Sequence, residues 1–327
     1  MMNKSKILFL MILVMGTIMT ISSNNWISMW MGLEINMMSF IPLMMTKNKS
    51  SAEAAMTYFL IQSMSSMILM MMVTINMYST IISNNMINNL MMISLLIKMG
   101  AAPFHMWFPM ILSKMSWNNC LILMTWQKIA PLTMISNIMC NDLIYLSIIM
   151  SAIIGGIGGL NQTSLRKIMG YSSISHLGWM LTMNQSINLW MTYLMIYSLM
   201  MLTLLTAFSQ YKLFFINQLS IINLTNQEKI SLSISMLSMG GLPPFIGFLP
   251  KWIAIQSMIN QNMYVMIFIL IMMSLITLMY YLRMMINMFL MSNMSIKWSY
   301  NQLNKQYTLM MMMLNLSLPI IIMLDMI

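Results

Sequence analysis

The chain has 327 residues, 60% of them hydrophobic and 6% charged, and its 15 Lys and Arg against 5 Asp and Glu give a net charge of +10. A soluble domain carries about 25% charged residues, so this composition excludes a water-soluble globule. The basic residues sit singly or in pairs in short polar stretches and form no patch, which argues against nucleic acid as a partner.

Apolar runs recur along the whole chain, many near the length of about 20 residues that crosses a hydrocarbon core. Splitting at the polar punctuation predicts about eleven spans, near 7–23, 26–45, 54–79, 88–112, 118–139, 143–160, 169–184, 189–212, 230–257, 262–283 and 308–325. The predicted fold class is all-α: a polytopic membrane protein forming a single membrane domain over 1–327.

The first run, Ile7 to Ile21 behind Lys4 and Lys6, has the layout of a signal peptide. SSNNW follows it without a small-x-small cleavage site, and no Arg-rich amphipathic import segment is seen, so it reads as a retained span. The second span, WISMWMGLEINMMSF, holds Glu34, and the fourth, LLIKMGAAPFHMWFPM, holds Lys98, Gly100, Pro103 and His105. The fifth contains TWQKIAP with Lys128 and Pro131. In the sixth, IIGGIGGLNQ has the glycines of a nucleotide loop without a preceding strand. Gly155 and Gly159 therefore read as a GxxxG helix-contact face. The seventh carries His176 in YSSISHLGW, a packing histidine on one reading and a relay group on another. The ninth, GGLPPFIGFLPKW, is predicted to be broken at Gly241, Pro243, Pro244 and Pro250, with Lys251 directly after.

Charge placement tests the map, since loops on one side of a membrane collect Lys and Arg. Lys4, Lys6, Lys47, Lys49, Lys114, Arg166, Lys167, Lys212, Lys229, Arg283, Lys297 and Lys305 fall on one side, and only Asp142 and Asp325 on the other. Glu53 and Glu228 lie in the basic loops and read as surface charges. Lys98, Lys128, Lys251 and Glu34 are left inside spans. Each costs about 2.5–3.5 kcal/mol at mid-membrane if charged and unpaired, a cost that a purely structural bundle has no reason to carry. Snorkelling to the interface is the competing account, strongest for Lys251.

Proline removes its own N–H and displaces the carbonyl four residues earlier. Pro103 thus frees the carbonyl of Met99, beside Lys98, and Pro131 that of Gln127, beside Lys128. Unwound backbone at membrane depth survives only inside protein or along a wet cavity. The lysines are therefore expected to meet water and free carbonyls on an internal path. Burial disfavours a charged amine and a neighbouring carboxylate favours it, so a lysine between the two can take up and release a proton; histidine can relay one near neutral pH.

Gly100-Ala-Ala-Pro103-Phe104 and Gly241-Leu-Pro-Pro244-Phe245 share the form GxxPF and lie in the fourth and ninth spans. Five spans is an odd offset, so the copies cross in opposite directions, the pattern of inverted repeats with paired broken helices. The expected halves are 7–139 and 143–283, followed by a terminal helix at 308–325. Cys120 and Cys140 are too few for an iron-sulfur or CxxC metal site and read as buried. The 55 methionines stand wherever Leu or Ile would, as core and lipid-facing filler; a genetic code that gives Met an isoleucine codon, as in animal mitochondria, has the same result.

The segments WMGLEIN, EAAMTYFLIQ, KMGAAPFHMW, TWQKIAP, GGLNQTSLRKIMGYSSISHLGWM, SMGGLPPFIGFLPKW and the YLR at Arg283 together resemble the family of antiporter-like NADH dehydrogenase subunits 2 of mitochondrial NADH:ubiquinone oxidoreductase (respiratory complex I), over residues 30 to 283. The resemblance implies a proton-translocating subunit whose relay maps to Glu34, Lys98, Lys128 and Lys251, with His105 and His176 as relay or water-organising groups. It implies no cofactor on this chain: NADH, FMN, iron-sulfur clusters and ubiquinone belong to other subunits. Expected partners are neighbouring membrane-arm subunits, especially antiporter-like and small ones, and lipid. The implied location is the mitochondrial inner membrane, with the N-terminus in the matrix and the C-terminus in the intermembrane space. Thr57 stands where many relatives have a lysine, leaving Glu34 without its expected partner. The alternatives are a stand-alone cation/proton antiporter and a scaffold with an inactive relay.

Overall fold

The structure, a computed structural model, describes residues 4–46, 48–78, 83–138, 141–184, 186–221, 224–290 and 305–319. These residues are helical almost throughout, and the β contact among them is one isolated bridge between Ser164 and Phe215. The chain forms two compact units, Met1–Ser151 with Asn184–Ile187, and Ala152–Met183 with Asn188–Ile327.

The first unit contains α1 (Lys4–Ser22), α2 (Trp26–Met44), α3 (Lys49–Tyr78), α4 (Asn84–Met99), α5 (Trp107–Lys114), α6 (Trp117–Met124), a 3₁₀ turn (Trp126–Lys128) and α7 (Ile129–Ser136). Helix α2 packs between α1 and α3, α3 against α4 and α5, and α7 against α1, α2 and α4. The predicted fourth span is two helices. Its first half ends at Gly100, left-handed at φ 69°, with the amides of Gly100 and Ala101 donating to the carbonyls of Ile97 and Leu96 at 3.1 Å each. Only glycine adopts this helix stop without a steric cost. The chain then turns through Pro103 and restarts at Trp107. The fifth span is interrupted too: α6 stops at Met124 and a single 3₁₀ turn carries Lys128 into α7.

Helix α8 (Asn141–Leu160) passes from the first unit into the second. The second unit continues with α9 (Leu165–Thr182), α10 (Ile187–Gln210), α11 (Ile216–Ile221), α12 (Asn226–Gly240), α13 (Phe248–Asn260), α14 (Tyr264–Leu290) and α15 (Lys305–Asn315). Helix α9 is its centre, buried at every position from Ser172 to Thr182 and packed on α13 and α14. Its hydroxyls are satisfied within the helix: Ser172, Ser173 and Ser175 donate to the carbonyls three residues earlier at 2.8, 2.7 and 2.7 Å. The GxxxG face works against two partners. A Cβ on Gly155 would lie 2.6 Å from the amide of Ser175, and one on Gly159 would lie 2.7 Å from the Tyr280 ring.

Helices α1, α2, α3, α8, α10 and α14 are long and apolar enough to cross a membrane. The other predicted spans are broken, shorter or, as in the 18-residue α9, less apolar. Helix α15 covers the start of the predicted terminal span, while residues 320–327, including Asp325, lie outside the described residues, as do Lys47, Cys140 and Lys297. Cys120 is buried, its thiol turned to the Leu112 carbonyl at 3.6 Å.

Two sequence readings are corrected. Glu228 is no surface charge: it is 2% exposed and forms a capping box at the start of α12, its carboxylate accepting from the Thr225 amide at 2.8 Å. Pro250 and Pro131 do not lie inside their breaks. Each is the third residue of the helix that follows, α13 and α7, where a missing N–H costs no hydrogen bond; the breaks run from Gly241 to Gly247 and from Thr125 to Lys128. Glu53, by contrast, is exposed and paired with Lys114 at 2.8 Å.

Candidate functional site

In the first unit the α4 break sets the geometry. Lys98 occupies the last turn of α4, 7% exposed, with its ammonium 3.8 Å from Glu34 Oε1 on α2. At the helix end the carbonyl of Lys98 accepts from the side-chain amide of Gln62 on α3 at 3.0 Å. The 3₁₀ turn brings in Lys128, 1% exposed, with Nζ 5.9 Å from the Phe108 ring centroid, in reach of a cation–π contact.

Lys98 and Lys128 line one cavity of about 20 Å³, with Asn36, Tyr58, Gln62, Trp107 and Gln127 also in its wall. Asn36 Oδ1, Trp107 Nε1 and Gln127 Nε2 are buried without a hydrogen-bond partner among the described residues. A buried water needs roughly 10–15 Å³ and two to four polar partners. This cavity supplies both, so a water fits among the side chains that line it, Lys98 and Lys128 included.

In the second unit the αL stop recurs at Gly241, φ 80°. Lys251, on the first turns of α13, reaches back to it: Nζ donates to the Gly240 carbonyl at 2.7 Å, and a Cβ on Gly241 would lie 2.6 Å from that nitrogen. Glycine is required here twice, for the backbone and for the approach of the amine. Lys251 is 6% exposed, so it does not snorkel out of this unit. It shares a cavity of about 10 Å³ with His176, Ser175, Trp179, Ser274 and Thr277. His176 is buried, with Nδ1 2.8 Å from the Tyr193 hydroxyl.

The residues singled out by sequence thus fall into two groups, Glu34, Lys98 and Lys128 in one unit, Lys251 and His176 in the other. His105 lines neither cavity. It is half-buried in the turn after Pro103, its ring Nδ1 3.2 Å from the Pro103 carbonyl and outside the cavity wall. Thr57 faces outward on α3 and donates to the Ala54 carbonyl, so the partner Glu34 has is Lys98. Gln62, Asn36, Trp107, Gln127 and Tyr193 escaped the sequence reading. Uncharged polar residues inside an apolar span were the available signal, but the chain has many and their pairing is tertiary.

The family model for the transmembrane region of NADH:quinone oxidoreductases and Mrp antiporters matches residues 23–277. The chain belongs to this family. NADH-ubiquinone oxidoreductase chain 2 of Anopheles gambiae is 46% identical over 89% of this chain and 88% of its own length. The chain 2 of Loxodonta africana is 41% identical over 84% and 83%. Among solved structures, a chain of respiratory complex I from Thermus thermophilus superposes with a TM-score of 0.80 at 20% identity, over 88% of this chain and 71% of that one. A chain of the Mrp complex of a Dietzia species gives 0.76 at 16% identity, over 86% and 60%. At these identities the two structures establish a shared fold.

Proposed function

We infer that this chain is a proton-translocating membrane-arm subunit of respiratory complex I, the NADH:ubiquinone oxidoreductase. The observation that carries the reading is the Glu34–Lys98 pair, its lysine buried and its carboxylate partly so, with Lys98 in the wall of a polar-lined cavity that Lys128 shares. A structural bundle gains nothing from that arrangement, because burying charge costs more than apolar packing returns.

In the proposed mechanism, Glu34 and Lys98 hold one proton between a carboxylate and an amine. A change in charge beside Glu34, imposed by redox chemistry in other subunits, loosens that hold. The proton then passes by way of the cavity to Lys128, and the second unit continues the relay through His176 and Lys251. NADH, FMN, iron-sulfur clusters and ubiquinone act elsewhere in the complex. The two GxxPF stops share one local geometry, a left-handed glycine ending a helix beside a lysine, which supports reading 7–139 and 143–283 as inverted repeats. The location is the mitochondrial inner membrane, among other membrane-arm subunits and lipid, with the basic loops and N-terminus in the matrix.

The test is Lys128→Met in the intact complex. The apolar chain fills the same volume against Phe108, so assembly should persist while NADH oxidation coupled to proton pumping falls about tenfold or more, as for loss of a proton-transfer group. Wild-type pumping in that variant sinks the relay. The match to Mrp antiporters favours one second reading, a cation/proton antiporter. Sodium-dependent proton exchange in liposomes, indifferent to NADH, would establish it.

A further inference from the structure

Tyr193 entered neither the sequence reading nor the relay above, yet its hydroxyl stands 2.8 Å from Nδ1 of the His176 ring. Both residues are buried, at 1% and 3% exposure, so water does not compete for this bond within the unit. The surroundings are unusual for a membrane bundle. The Tyr197 ring stands 4.8 Å from the imidazole, Tyr280 and Tyr281 lie 4.8 Å apart on α14, and all four tyrosines are among the largest fully buried side chains. The groups that face His176 or its immediate neighbours are therefore Tyr193 and Tyr197 from α10, Tyr280 and Tyr281 from α14, and Lys251 from α13, the last through the shared cavity.

A neutral imidazole has one ring nitrogen as donor and the other as acceptor, and the partner of one fixes the role of the other. A phenol is a far better donor than an acceptor to a neutral ring nitrogen. With Tyr193 donating to Nδ1, the hydrogen of neutral His176 is placed on Nε2. We propose that Tyr193 is a positioning residue for proton transfer at His176: its hydroxyl selects the tautomer and holds the ring at the cavity it shares with Lys251. When the relay delivers a second proton to the ring, both nitrogens carry hydrogen: Nδ1–H then donates to the phenol oxygen, whose own hydrogen turns away still bonded, and the ring returns to neutral by giving one proton to the Lys251 amine across the shared cavity. No bond within the phenol breaks and the tyrosine ends as it began. The inference rests on the proton-relay reading and adds to it the residue that orients its histidine.

The experiment uses the whole complex in proteoliposomes, with coupled NADH oxidation and proton pumping measured across pH for Tyr193→Phe, His176→Gln and the double variant. Phenylalanine keeps the ring packing and removes only the hydroxyl. If Tyr193 acts through His176, Tyr193→Phe lowers coupled turnover about five- to tenfold, the scale of one lost hydrogen bond, alters its pH profile, and adds nothing in the His176→Gln background. An unchanged Tyr193→Phe profile beside an impaired His176→Gln overturns the inference and leaves the relay standing. Additive losses overturn it as well, since they separate the two residues. Should Tyr193→Phe fail to assemble, the tautomer of His176 in the wild-type complex decides, read by nitrogen-15 NMR as the difference from the His176→Gln complex. A ring hydrogen on Nε2 supports the proposal, and one on Nδ1 alone overturns it. Failure of the relay reading itself shows separately, in Lys128→Met of the other unit.

Discussion

Glu34 and Lys98 show why a buried charge in this chain is a site and not a defect. Their 3.8 Å separation offsets part of the cost of taking each from water, and removing one partner leaves the other stranded. Lys98→Met is therefore expected to reduce the amount of assembled complex on native gels. The cost is at most about 3–5 kcal/mol for a fully buried pair, and less here because the Glu34 side chain keeps 22% exposure. Glu34→Gln combined with Lys98→Met should assemble better than Lys98→Met alone while remaining inactive in pumping. Equal assembly of the single and double variants would mean that the pair carries no coupling energy. Gly241 makes the complementary point: its left-handed φ strains any L side chain, and an added Cβ would lie 2.6 Å from Lys251 Nζ, so the amine would have to leave its place.

At the scale of elements, the breaks matter more than the helices. The α4 stop at Gly100 turns an end carbonyl toward Gln62, the 3₁₀ turn at 126–128 sets Lys128 between α6 and α7, and the Gly241 stop gives Lys251 its acceptor. Continuous helices would keep those carbonyls in their own ladders. Close packing of α8 on α9 holds the second unit to the same tolerance. Gly155→Val puts a branched side chain onto backbone 2.6 Å away, whereas a Cβ on Gly156 meets nothing nearer than 3.4 Å. Overpacking of this kind costs about 1–3 kcal/mol or more. The expected result is a sharp fall in assembled complex for Gly155→Val and near-normal levels for Gly156→Ala, read by native electrophoresis; matched levels would deny that α8 packs here.

For the whole molecule, the asymmetry of charge predicts sidedness. Within the second unit, Arg283 donates to the carbonyls of Leu160 and Gln162, and Arg166 stacks 4.8 Å over Phe214, whose carbonyl accepts from the Leu165 amide. Basic loops distant in sequence thus meet at one end of this unit. Single cysteines at Lys167 and Asp142 should be labelled by an impermeant thiol reagent from opposite faces of mitoplasts and inverted vesicles, Lys167→Cys from the matrix face. Labelling of both from one face would discard the charge-based orientation.

The sequence by itself determined that the chain is a helical membrane protein, roughly where its spans run, and which ionisable residues needed explanation. Length and hydropathy are local properties, and a lone Lys98 or Glu34 among apolar residues is visible without knowing its neighbours. The glycines of the two GxxPF stretches were legible as stops for the same reason, since a left-handed residue is a local demand. Only the tertiary structure decided what each charge faces. It paired Glu34 with Lys98 where Thr57 had left the partner open, put Lys98 and Lys128 on one cavity, placed His105 in the turn after Pro103 outside that cavity's wall, and turned Glu228 from a loop charge into a buried cap. It also joined His176 to Tyr193, seventeen residues on. Partners on different helices are fixed by packing and by the close approach that glycines allow, and no spacing along one helix encodes them.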